Sequence, residues 1–180
     1  MNKTQRSVVI FSLAGALTFF CFGCESFTGG GWIPSAAGGK AKATFGLALT
    51  CTDDGQGGLV FSGTVQYNDH GFLVTGANGK QMPLSLNATV PPTPESGITC
   101  EQFDLIEQNA LGFNNVYVLP YLPQPTTAGA GGQIAIQVQD NGQTGPNHAD
   151  VLTIAVEGGL YSGYFNTGNL QGGNISISIP

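Results

Sequence analysis

The chain has 180 residues, including 28 glycines and 10 prolines; 9% are charged and 41% hydrophobic, so it combines many turns with enough apolar side chains for a packed core. Its formal charge is −6, and without Lys3 and Arg6 only three lysines face the same 11 acids (3 − 11 = −8). Such a surface excludes nucleic acid, whose phosphates need clustered Lys and Arg. One domain is the default for this length.

Lys3 and Arg6 precede an uncharged, largely apolar run from Val8 to Phe20. That run is too short to span a bilayer and has the length of a signal-peptide core. Residues 1–23 are therefore expected to be a signal peptide, and the mature chain to be exported. Cys21-Phe22-Gly23-Cys24 follows, with small Gly23 directly before Cys24. It resembles the lipobox of bacterial lipoproteins. The resemblance implies a lipid on Cys24 and a chain anchored at the cell envelope, with ordinary secretion as the alternative. Residues 24–39 are polar and glycine-rich and read as a tether. Trp32, the one tryptophan, sits beside Ile33 and is expected to plug an end of the core; the other reading is an exposed sugar-stacking ring.

The domain proper is expected over 40–180. Lys40 to Cys51 alternates, with Ala41, Ala43, Phe45, Leu47, Leu49 and Cys51 on one face. After Asp53-Asp54-Gly55, a second strand runs from Leu59 to Tyr67. Asn68-Asp69-His70-Gly71 reads as a tight turn, with a short strand from Phe72 to Thr75 behind it. Asn78-Gly79 is the strongest hairpin signal in the chain. Gln81 to Val90 alternates again. Pro91-Pro92-Thr93-Pro94 stops the sheet. Ile98 to Phe103 reads as a strand and Asp104 to Gln108 as one helical turn. Val116 to Leu122 is interrupted by Pro120 and reads as an edge strand.

The last third keeps a period of two most cleanly. Ile134, Ile136 and Val138 share a face, as do Leu152, Ile154 and Val156, and Ile175, Ile177 and Ile179. With glycine corners between them, these segments complete roughly eight to ten short strands, which implies an all-β fold: an antiparallel sandwich or an up-and-down barrel.

Little in the sequence points to catalysis. His70 and His148 are the only histidines, both in expected turns, and there is no Gly-x-Ser-x-Gly elbow, phosphate loop or dinucleotide fingerprint. Cys and His show no zinc spacing, and no pair of acids stands out for glycoside hydrolysis. No catalytic residue, metal or cofactor is expected. Asp140, Asn141 and Asp150 bracket a glycine-containing loop with oxygen ligands of the kind Ca²⁺ takes. Their spacing matches no calcium loop, and Asp and Asn stabilise turns on their own, so a plain turn is expected. Cys51 and Cys100 remain once the lipobox pair is set aside, and export predicts a disulfide between them.

Several short motifs recur in a fixed order: Gly29-Gly30-Gly31-Trp32-Ile33, Ala43-Thr44-Phe45-Gly46, Gly63-Thr64-Val65-Gln66-Tyr67 with Asp69, Asp140-Asn141-Gly142 with Gly145 and Asp150, and Gly168 to Ile175. Together they resemble the small exported bacterial domain found behind choice-of-anchor modules, the post-choice-of-anchor domain. The resemblance implies an all-β extracytoplasmic module without an established activity or agreed catalytic residues. Residues 91–130 are an insert relative to that pattern. The reading is a membrane-anchored envelope domain that is not an enzyme. Its expected partners are the membrane, through the lipid, and another envelope protein or a glycan. The alternatives are a secreted carbohydrate-binding or adhesion module, with Tyr117, Tyr121, Tyr161 and Tyr164 as stacking rings, and a hydrolase built on His70, His148 and acids.

Overall fold

Among the described residues, period-two alternation resolves into nine antiparallel strands in one curled sheet. The computed structural model describes residues 26–53, 59–90, 116–141 and 150–178. The strands are β1 Ser26–Pro34, β2 Lys42–Asp53, β3 Leu59–Thr75, β4 Gln81–Val90, β5 Val116–Pro123, β6 Gly132–Gln139, β7 Val151–Glu157, β8 Phe165–Asn169 and β9 Gly172–Ser178. Their order across the sheet is β8-β7-β6-β5-β4-β3-β2-β1-β9. From β1 to β8 each strand pairs with the next in sequence, so the sheet is a meander of the up-and-down kind, not a two-sheet sandwich.

One face of every strand points into a single core. Phe27 and Ile33 from β1, Phe45 and Leu49 from β2, Leu84 and Leu86 from β4, Ile134 and Ile136 from β6, and Leu152 and Ile154 from β7 are all buried there. Each such side chain contributes roughly 1.5–3 kcal/mol of apolar burial, which is why the alternation fixes the register. The Asn78-Gly79 hairpin forms as the sequence indicates: Gly79 takes φ 75°, and its N–H donates to Gly76 O at 2.9 Å.

The two edges of the sheet meet. With every neighbour antiparallel, the two outermost strands, β8 and β9, run in the same direction, and only Leu170 and Gln171 lie between them. Through a bend at Gln171 the chain changes partner, from β7 to β1. Glycines allow the approach: Gly31 lies opposite Gly173, and Trp32 opposite Gly172. Gly173 takes φ 101°, and a Cβ there would stand 2.0 Å from Gly30 O. Beyond the change of partner, β9 is held on its other side by two carboxylates. Ile175 N–H donates to Asp150 Oδ2 at 2.7 Å and Ile177 N–H to Asp140 Oδ2 at 3.1 Å.

The strands thus run between a near end, with Ser26, Asp53, Val90, Val151 and Ser178, and a far end, with Pro34, Lys42, Gln81, Glu157 and Phe165.

Four expectations change. Residues 26–34 are not part of a tether: they are β1, flanked by β2 and β9, because Phe27 and Ile33 bury on the core face while glycines between them let β9 close in. The domain therefore begins by Ser26. Trp32 is not a plug; strand parity turns it outward, half-buried, with Lys42 Nζ 3.9 Å from its ring centroid, and Ile33 fills the interior instead. Residues 68–71 do not reverse the chain. β3 runs through them with a bulge between Asp69 and Leu73. β5 is an inner strand, not an edge. Its ladder to β4 covers only Tyr121 to Pro123, which lets Pro120 sit in the sheet without a missing β4 bond, while its ladder to β6 runs from Val116 to Tyr121. The expected strand at 98–103 and helical turn at 104–108 lie outside the described residues, as does Ile179.

Candidate functional site

The far end holds a buried polar cluster centred on Asp69, whose side chain is 0% exposed. Parity on β3 points Asp69 inward along with Tyr67, while His70 points out. The Asp69 carboxylate accepts five hydrogen bonds. Ser35 Oγ donates to Oδ1 at 2.5 Å and Ala36 N–H to Oδ2 at 3.0 Å. Gly71 N–H and Phe72 N–H donate to Oδ1 at 3.0 and 3.2 Å. Tyr164 OH donates to Oδ2 at 2.7 Å. One side chain therefore ties together the turn after β1, the β3 bulge and the loop between β7 and β8. The bulge exists because the carboxylate satisfies the two N–H groups that leave the ladder.

Proton directions in the cluster follow from its ends. Tyr164 gives its proton to Asp69, so at the 2.6 Å contact between the two hydroxyls Tyr67 is the donor. Tyr67 in turn accepts from Asn166 Nδ2 at 2.8 Å, and the second Nδ2 hydrogen goes to Pro34 O at 3.0 Å. Burial alone would push the Asp69 carboxyl up; the hydrogen bonds from Ser35, Tyr164, Gly71 and Ala36 outweigh it and hold the group below its ordinary value. Burial pushes Tyr67 up to about 12, and burial together with the neighbouring Tyr67 and Asp69 raises Tyr164 as well. At neutral pH the cluster is one carboxylate with both phenols protonated as donors. Each polar group is used by the chain itself.

A second tyrosine pair braces the same end. Tyr121 and Tyr161 stack with centroids 5.8 Å apart. Tyr161 OH donates to Ser85 O at 2.8 Å, a carbonyl that also accepts from Gln124 N–H directly after β5, and accepts from Ser85 N–H at 3.3 Å. Tyr121 OH donates to Gly158 O at 3.0 Å and accepts from Tyr161 N–H. The glycine-rich β7–β8 loop is thereby folded over the core.

The residues singled out from the sequence fall as follows. Tyr121, Tyr161 and Tyr164 are buried, which removes them as exposed stacking platforms; the Tyr117 side chain lies outside the described residues. His70 is exposed, 3.4 Å from Thr44 Oγ1, and faces away from Asp69; His148 lies outside the described residues. Asp150 spends Oδ1 on Asn141 N–H at 3.0 Å and Oδ2 on Ile175 N–H of β9, and Asp140 Oδ2 accepts from Ile177 N–H two residues further along β9. No group of three His, Cys, Asp or Glu gathers among the described residues. Cys51 is buried on the core face of β2; Cys24 and Cys100 lie outside the described residues. An open cleft of about 270 Å³, lined by Asn87, Thr89, Pro120, Tyr121, Leu122 and Gln124, lies where β4 and β5 part.

Sequence reasoning missed the Asp69 cluster because it read Asn68 to Gly71 as an ordinary turn. The available signal was Tyr67 and Asp69 in phase with the buried residues Phe61 and Val65 of the same strand. No family model matches the chain, and no curated protein or solved structure matches it either.

Proposed function

We propose that this chain is an exported bacterial envelope domain, held at the membrane by a lipid on Cys24, that works as a structural or binding module and not as a catalyst. The observation that carries the non-catalytic part is the use made of Asp69. Among the described residues it is the most deeply buried acid, and all five of its hydrogen-bond donors belong to the chain's own turns, loop and bulge. A carboxylate saturated in this way locks the far end and has no lone pair directed at a substrate. The order of signal-like segment, Gly23 and Cys24 supports the anchored part, and the likeness to the post-choice-of-anchor domain supports an extracytoplasmic setting.

Within this reading Cys51 pairs with Cys100. For a loop of about 50 residues the bond stabilises the fold by roughly 4 kcal/mol in the chain-entropy picture. Mass analysis of the alkylated, unreduced protein tests it: alkyl groups on both positions defeat the pairing. The anchor is tested by membrane fractionation and by mass analysis of residue 24 in the wild type and in Cys24→Ser. Acyl mass on Cys24, and release of the variant from the membrane, is the expected result. A soluble wild type without acyl mass replaces anchoring with secretion.

A further inference from the structure

The tether expected between lipid and domain is β1. Ser26 already pairs with Thr50 of β2 and Ser178 of β9, and Phe27 is buried. Only Glu25 separates Cys24 from that strand. Two residue steps span at most about 7 Å. A lipid on Cys24 therefore holds Ser26, and with it the paired Thr50 and Ser178, close to the bilayer surface. We propose that the near end of the sheet, around Ser26, Thr50, Asp140 and Ser178, is a membrane-facing surface seated on a phospholipid headgroup layer, with the strands directed away from it. This rests on the anchored reading and adds a fixed orientation to it.

Two features of the fold shape the consequence. The ten residues of β4, Gln81–Val90, rise by roughly 3.3 Å each, so the turn before Gln81 stands about 30 Å along the strand from the near end. The Asp69 cluster, the tyrosine-braced loop and the Asn78-Gly79 turn are then all displayed away from the bilayer. Lys40, Lys42 and Lys80, the three lysines behind the signal segment, are also at that far end. No lysine is left near the headgroups, so the seating is geometric and does not depend on charge attraction.

Energy transfer from tryptophan to dansyl-labelled headgroups reads the orientation. The full lipidated chain is placed in phosphatidylcholine vesicles, which carry no net charge. Trp32→Phe removes the native tryptophan. In that background, Thr28→Trp puts a donor on the exposed outer face of β1 near Ser26, and Ala77→Trp puts one on the exposed far turn. We expect transfer from position 28 to exceed that from position 77 at least fivefold, unchanged between low and high salt. Equal transfer from the two positions, or stronger transfer from 77, with acyl mass present on Cys24, overturns the orientation and leaves anchoring intact. Absence of acyl mass on Cys24 overturns both. Circular dichroism and the melting temperature of both variants, matched to the parent, establish that each is folded.

Discussion

Leu170 and Gln171 are adjacent in the chain, yet their N–H groups bond to opposite edges of the sheet: Leu170 to Asp150 O at 2.8 Å, before β7, and Gln171 to Trp32 O at 3.0 Å, on β1. A two-residue connection between antiparallel strands normally reverses the chain. This one bends at Gln171 and exchanges its partner from β7 to β1. The meander is drawn round on itself at this step, and both exposed edges of a long sheet are covered by one another's chain.

The glycines at this seam are predicted to be unequal to glycines elsewhere. Gly173→Ala places a Cβ 2.0 Å from Gly30 O at a backbone φ of 101°. We expect it to cost more than about 2 kcal/mol in chemical denaturation. Gly46→Ala is the control, since a Cβ there meets nothing within 4 Å; it is expected to be neutral or to stabilise by about 0.5 kcal/mol. Equal effects at the two positions contradict the close approach of β9.

Asp150 is predicted to hold β9 and not a metal. Asp150→Ala strands the N–H groups of Asn141 and Ile175, at a cost of about 1–3 kcal/mol. Amide exchange at Ile175 should accelerate more than exchange in β3. Millimolar Ca²⁺ should leave the wild-type melting temperature unchanged; a rise that disappears in Asp140→Ala contradicts this, because a ligand of the native state must stabilise it.

Asp69→Asn keeps the shape of the side chain but turns one acceptor into a donor facing donors. We expect a loss of about 2–4 kcal/mol, among the larger single-residue effects in the chain. Ser35→Ala removes only one of the five donors and should cost less. A neutral Asp69→Asn, measured by denaturant unfolding, contradicts the account of the cluster.

The same cluster sets the pH limits of stability. The folded carboxyl of Asp69 lies below its ordinary value, so its contribution is complete above the unfolded value of about 3.9 and is lost as pH falls through the folded one. Tyr67 is raised to about 12. Its contribution is complete below the unfolded value of about 10 and is lost as pH rises from there towards 12. Urea midpoints measured across pH should decline at both extremes, and Tyr67→Phe should flatten the alkaline decline. An alkaline slope identical in wild type and Tyr67→Phe contradicts this assignment.

The sequence by itself determined the all-β class, most strand positions and the core face of the strands that alternate cleanly, β2, β6 and β7 among them. It could do so because alternation is a local property: Ile134, Ile136 and Val138 must share a side whatever lies opposite them. The Asn78-Gly79 turn was legible for the same reason, since its geometry is decided within four residues. The tertiary structure alone decided what depends on who stands opposite. Residues 26–34 look like a linker until β9 is seen to need their glycines, and Pro120 looks like an edge until the pairing of β4 with β5 is seen to stop beside it. Asp69 reads as a turn residue in isolation, because its donors come from Ser35, Ala36 and Tyr164, up to 95 positions away in the chain. Closure at Leu170 and Gln171 was illegible for the same physical reason: local chemistry sets where a strand runs, and only the curl of the whole sheet brings its two edges within reach of one chain.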